Sequence, residues 1–255
     1  MALNTLGQPL AAERVFREAI RISSADQNEQ AVSPMLLNNL SRTLHHLHRL
    51  PEAADYAERA YTNTRRLGDE IVVHQSLSGR ATIYRLRGDL DRAAEMLAEL
   101  EPRIKRMFAP GHMFFATFAS HQSLLLQARG DLHGALPAAD RAVALAEATP
   151  QGLDYLPSYL LRRSDIELQI RRLEDARSDA GRALRMEQEA GEPGAFSCAL
   201  GRAYLALGRA LHAQGTVDEA RVAFASALEH LQPTLGADHP ETRDARRLVA
   251  QARTD

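Results

Sequence analysis

Residues 88–93 read GDLDRA, and variants of this phrase recur along the chain: GQPLAA at 7–12, HRLPEA at 48–53, GDLHGA at 130–135, RRLEDA at 171–176 and GTVDEA at 215–220. Each opens on Gly or a polar residue and closes on alanine. The closing residues are Ala12, Ala53, Ala93, Ala135, Ala176 and Ala220, in steps of 41, 40, 42, 41 and 44 residues. A fixed period of this length marks a stacked array whose units pack only on their neighbours. Residues 77–102 (LSGRATIYRLRGDLDRAAEMLAELEP) show the unit. Apolar or small residues fall at Leu77, Ala81 and Tyr84, then at Leu90, Ala93, Leu97 and Leu100. Each set is one face of an amphipathic helix. Gly88 breaks the run because it tolerates a left-handed turn, and Asp89 can cap the helix that follows. The unit is therefore a helix–turn–helix hairpin, in which Ala81 and Ala93 let the two backbones approach closely.

Composition narrows the functions. The 255 residues are 45% apolar with a formal net charge of −2, so no overall field argues for nucleic acid or an anionic membrane. No apolar run approaches the ~20 residues that span a bilayer, and without a basic region followed by an apolar stretch at the N-terminus no signal peptide is expected. A cytoplasmic location is the expectation, which the single cysteine, Cys198, fits. One cysteine excludes an intramolecular disulfide and any multi-cysteine zinc site. Lys105 is the only lysine and ends no glycine-rich loop, so a phosphate-binding P-loop is excluded. The preference for arginine fits the base bias of a GC-rich bacterial genome.

The hairpin resembles the tetratricopeptide repeat. The sixth copy matches best, with Tyr204, Leu207, Gly208 and Leu211 on its first helix and Ala220, Phe224 and Ala227 on its second. The second gives Leu37, Leu40, Ser41, Leu44, Ala53, Ala57 and Ala60; the fourth gives Ser123, Leu126, Ala135, Ala139 and Ala142. The fifth is weakest: Leu160, Ser164, Ala176, Ala180 and Ala183 fit, but Glu167 stands where an apolar residue belongs. The period exceeds the family's usual ~34 residues. Extra segments at 23–33, 108–112, 149–157 and 191–194 read as turns. Longer repeats are similar to those of kinesin light chains and bacterial signalling proteins, as is the connector LGADHPETR at 235–243.

The resemblance implies an all-α, right-handed α-solenoid of about six hairpins over 1–255. The expected repeats are 1–23 (partial), 34–67, 72–106, 113–148, 156–190 and 197–232, with a capping helix at 240–253. Asp238 or His239 caps that helix and Pro240 opens it. Residues 1–6 supply only the end of a first helix, so the chain is expected to be a piece of a longer protein, or a reading frame started late, in preference to the alternative that a short first helix suffices. Solenoid ends need covering.

In this family the first helix of each hairpin lines a groove that takes protein or extended peptide. Carried over copy by copy, the groove positions are Asn38, Asn39, Arg42 and His45; Gln75, Ser78, Thr82 and Arg85; Thr117, Ser120, His121 and Gln127; Arg162 and Asp165; and Arg202, Arg209 and His212. Their amides, hydroxyls and cations suit a peptide backbone and carboxylates, with Asp165 the exception.

No residue spacing carries catalytic, metal or cofactor chemistry. His45, His46 and His48 cluster but lack a third ligand at matching spacing. Phe108, Met113, Phe114, Phe115 and Phe118 form either a docking patch or the packing between the third and fourth repeats, the latter preferred. The arginine pairs at 65–66, 162–163 and 171–172 read as solvated helix faces beside acids such as Glu167 and Glu174, and Cys198 as a packing residue. The expected function is a non-catalytic protein-binding scaffold or sensor within a larger bacterial signalling or regulatory protein, such as a Ser/Thr kinase or transcription regulator. The alternatives are an enzyme with a hydrolytic or phosphatase site, at which His121 and Asp165 would converge, and an oligomerisation module pairing through its uncapped N-terminal hairpin.

Overall fold

The computed structural model describes residues 7–24, 32–67 and 70–252. The readings placed on residues 1–6 and 25–31 lie outside them. Among the described residues there are thirteen helices and no strand. They are α1 (Pro9–Ser23), α2 (Pro34–His46), α3 (Leu50–Leu67), α4 (Glu70–Leu86), α5 (Leu90–Met107), α6 (Met113–Ala128), α7 (Leu132–Glu147), α8 (Pro150–Leu153), α9 (Leu156–Gln169), α10 (Leu173–Ala190), α11 (Cys198–Ala213), α12 (Val217–Leu235) and α13 (Pro240–Gln251).

The recurring phrase is the hairpin turn. Its first residue takes the left-handed conformation each time: His48, Gly88, Gly130, Arg171 and Gly215 have φ of 58°, 82°, 81°, 66° and 85°. That conformation ends one helix by letting the chain fold back on its last carbonyls. Asp89 N donates to Tyr84 O at 2.9 Å and Gly88 N to Arg85 O at 3.0 Å. The same pair of bonds closes α2, α6, α9 and α11. The next helix starts at once: Ala93 N donates to Asp89 O, while Arg92 N and Gly134 N donate to the capping carboxylates of Asp89 and Asp131. The closing alanine lies where the two helices touch, and all six copies are at most 1% exposed.

Twelve residues before that alanine, the first helix carries a second small residue. Ser41, Ser123 and Ser164 donate to the carbonyls of Ala53, Ala135 and Ala176 at 2.7, 2.9 and 2.7 Å, stitching the hairpin with a buried hydrogen bond. Gly208 fills the same place in the last hairpin. A Cβ there would stand 2.6 Å from the Phe224 ring, so the close approach requires glycine.

The chain divides into two compact units. The first includes Pro9–Pro110 and holds α1 to α5. Its core packs Ala12 and Phe16 against Leu40, Leu44, Ala53, Ala57 and Ile83. The second runs on from Gly111 and holds α6 to α13. Its cores gather Ala116, Ala119, Val143, Leu156, Tyr159 and Leu160 on one side, and Leu205, Phe224, Leu231, Leu235 and Ala245 towards the C-terminus. Within it, residues 149–157, expected as a turn, contain the short helix α8, because Pro150 opens a helical turn and Thr149 Oγ1 accepts from Gly152 N at 3.1 Å.

The closing helix α13 starts at Pro240 and is capped by His239, whose Nδ1 accepts from Glu241 N at 3.2 Å. It seals the last hairpin through buried Thr242 and Ala245. Glu241 and Asp244 of this helix turn inward to the cations Arg202 and Arg209 of α11.

Candidate functional site

The first helices of the hairpins are α2 and α4 in the first unit, and α6, α9 and α11 in the second. In the first unit, Asn38 Oδ1 on α2 accepts from Ser76 Oγ on α4 at 3.0 Å, and Asn38 Nδ2 is buried with no acceptor among the described residues. Asn39 Oδ1 accepts from Arg42 Nη2 at 3.2 Å. Arg42 and Gln75 are exposed, while Asn39, His45, Thr82 and Arg85 are half-buried. Ser78 is buried, and its carbonyl accepts from Thr82 Oγ1 at 3.1 Å.

In the second unit the row is bonded helix to helix. Thr117 Oγ1 lies 3.0 Å from Tyr159 Oη, Ser120 Oγ accepts from Arg162 Nη1, and Gln127 Nε2 donates to Asp165 Oδ2 at 2.6 Å. These partners are 38 to 42 residues apart, one repeat period. Farther along, Arg202 Nε donates to Glu241 at 2.8 Å, and Arg209 pairs with Asp244. His121 is half-buried and His212 exposed.

Several groove positions thus differ from the expectation. Ser78 and Ser120 are buried, Arg202 and Arg209 are engaged by the closing helix, and Asp165 holds the amides of Gln127 and Gln169. Ser120, Asp165, Arg202 and Arg209 meet side chains of an adjoining repeat or of the closing helix before they meet solvent. Sequence reasoning missed Tyr159, which is 4% exposed and walls the row, although the 42-residue step from Thr117 to Tyr159 was visible.

Electrostatics follow the pairing. Burial works against both Arg202 and Glu241, yet each outweighs it for the other, so Arg202 is held above its ordinary pKa and Glu241 below. Burial pushes the Tyr159 phenol and the Cys198 thiol up, and both stay neutral. Arg163 grips Asp179 with two nitrogens at 2.6 and 2.9 Å and reaches Asp140 at 3.0 Å. Glu167, read as part of a solvated face, is instead 5% exposed, with Oε1 3.8 Å from Arg163 Nε and Oε2 without a hydrogen-bond partner. Burial, with the nearby Asp179 carboxylate, pushes its pKa up to about 7.

The His45 and His46 rings lie 4.9 Å apart, and among the described residues no group of three or more His, Cys, Asp or Glu could hold a metal ion. No described helix is long and apolar enough to cross a membrane.

Residues 35–67 and 200–241 match the sequence profile of the tetratricopeptide repeat family. No curated protein matches the chain. Among solved structures, BtubC (BKLC) from P. vanneervenii is similar over 97% of this chain and 92% of its own, at 16% identity and a TM-score of 0.59. A putative kinesin light chain from Podosopora anserina with nearly identical TPR-like repeats matches over 71% of this chain and 85% of its own, at 17% identity and a TM-score of 0.55. A Rap protein complexed with competence and sporulation factor matches over 95% and 71%, at 12% identity and a TM-score of 0.61. These likenesses show an α-solenoid fold. Together with the profile match over these two segments and the recurring left-handed turn, they make the chain similar to tetratricopeptide repeat proteins.

Proposed function

We propose that this chain is a non-catalytic binding module that takes an extended peptide along the face of its first helices and serves as the scaffold or sensor of a signalling protein. The observation that carries the reading is the composition of that face. Over successive hairpins the first helices carry amides, hydroxyls and cations at the expected groove positions, among them Asn39, Arg42, Gln75, Gln127 and Arg162. Amide and hydroxyl groups pair with peptide backbone, and arginine with carboxylate. The Rap structure complexed with competence and sporulation factor supports a sensing role by likeness of fold. The engagement of Asp165 by two glutamine amides argues against its use as a catalytic base.

A random 12-residue peptide library displayed on phage and selected on the immobilised full chain tests the proposal. Selection of a peptide that binds saturably supports it; recovery no better than on a blank surface refutes it.

Self-association is a second reading, favoured by exposed Leu10, Val15 and Ile22 on α1. Light scattering across concentration excludes it if the mass stays that of one chain.

A further inference from the structure

The two end helices are open in complementary ways. By its place in the repeat α13 is a first helix, yet no second helix follows it among the described residues. α1 is a second helix, and no described residue forms a first helix before it. Matching places show what each would meet. In the last hairpin Gly208 faces Ala223 and Phe224, three and four residues past the closing Ala220. One period of 42 residues after Gly208 stands Ala250 on α13, and it is exposed. Three past the closing Ala12 of α1 stands Val15, which is 55% exposed, whereas Ala223 at the same place is 5% exposed. Ile22, two turns farther along the same side of α1, is 61% exposed. Successive second helices also meet through fixed places. Tyr61 Oη, eight past its closing alanine, donates to Glu99, six past its own, at 3.0 Å. Glu147, twelve past, pairs with Arg182, six past. On α12 the places eight and twelve past Ala220 hold Leu228 and Gln232. They line an open groove with Glu229 and Pro233 of α12, Val249 of α13 and the exposed Phe196. On α1 the place six past Ala12 holds Glu18, whose one partner among the described residues is Arg21 on the same exposed turn. Beside the groove, Arg246 donates to Gln232 at 3.3 Å and pairs with no carboxylate among the described residues.

We propose that the groove between α12 and α13 receives α1 of a second copy, so that α13 of one chain and α1 of the next complete a hairpin between them and copies join head to tail. This rests on the self-association reading above and names the surface that α1 meets. Val15 would close over Ala250 as Ala223 does over Gly208, and Ile22 would leave water with it. The arriving Glu18–Arg21 pair would set an acid beside Arg246 and a cation beside Glu229, so the two surfaces match in charge as well as in shape. Because they are different surfaces, the contact is heterologous. Each joint leaves one α1 and one groove open, and copies keep adding unless the joints close into a ring.

Sedimentation velocity of the full chain, from micromolar to millimolar concentration, tests the joint. Wild type should form reversible oligomers whose mass rises with concentration. Val15→Glu and Ala225→Glu alter exposed residues on opposite sides of the joint, Ala225 lying in the groove. Each variant alone should associate roughly tenfold or more weakly than wild type. An equimolar mixture of the two should form dimers and nothing larger, because one sound joint remains between a Val15→Glu groove and an Ala225→Glu α1. Urea midpoints show that the variants fold, and Ile22→Glu or Arg246→Glu replaces either one that does not. If either variant associates as wild type does, or the mixture stays monomeric, the head-to-tail joint is overturned and self-association through another surface stands. Wild type that stays a monomer at every concentration removes the joint and the self-association reading together.

Discussion

Replacing Glu167 with Gln should make this protein more stable at alkaline pH and abolish one component of its pH dependence. Glu167 sits on α9 at a place where the repeat pattern calls for an apolar side chain, and it is 5% exposed. Arg163, the cation that pairs with it among the described residues, is shared with Asp179 and Asp140, so three carboxylates compete for one positive charge. Burial first, then the Asp179 charge, raises the Glu167 pKa from an ordinary 4.5 to about 7, with Asp175 and Asp140 adding to the rise and Arg163 opposing it. The folded state therefore holds the proton more tightly than the unfolded chain. The associated stability is complete below pH 4.5 and is lost as pH rises through about 7. The whole span corresponds to about 3 kcal/mol, at a slope of up to ~1.4 kcal/mol per pH unit. Gln keeps the shape and cannot ionise. Urea unfolding of wild type and Glu167→Gln between about pH 4 and 8 isolates the effect as a difference, since every other titrating group is common to both. The two curves should converge near pH 4 and separate in favour of the variant by up to ~3 kcal/mol at pH 8. A difference that stays constant across this range, or a wild type that is the more stable at pH 8, refutes the reasoning.

Other outcomes follow from single contacts. Arg171→Gly should raise stability by about 1 kcal/mol in urea unfolding, because a non-glycine residue holds φ at 66° there. Ser123→Ala should cost about 1 kcal/mol in the same assay, through loss of the buried bond to the Ala135 carbonyl. Gly208→Val should cost at least ~1–3 kcal/mol, because its side chain would be driven into Phe224. Glu241→Gln should lose about 1–3 kcal/mol at neutral pH by leaving Arg202 uncompensated. That loss should shrink in acid: the lowered pKa of Glu241 makes its contribution present above about 4.5 and lost as pH falls through the folded value.

The turns were the most legible part of this chain. The phrase from Gly88 to Ala93 carries its own mechanism, and the same left-handed geometry holds at His48 and Arg171, where no glycine announces it. The small residues Ser41, Ser123 and Ser164 were readable as close-packing positions, although their hydroxyls also form hydrogen bonds that spacing alone does not reveal. The groove face was less legible. Helical periodicity separates packed from open positions on a single helix. It does not say which polar side chains will be taken up by the next repeat, as Arg202 and Arg209 are by Glu241 and Asp244. Glu167 shows the converse. Its mismatch with the apolar pattern was visible, but its burial beside Asp179 depends on side chains from α7 and α10 converging on Arg163.

The most direct test of the central claim is a backbone amide NMR titration of the full chain with a display-selected peptide. Saturable shifts should cluster on α2, α4, α6, α9 and α11. Shifts confined to the second helices α3, α5, α7, α10 and α12 would contradict the account.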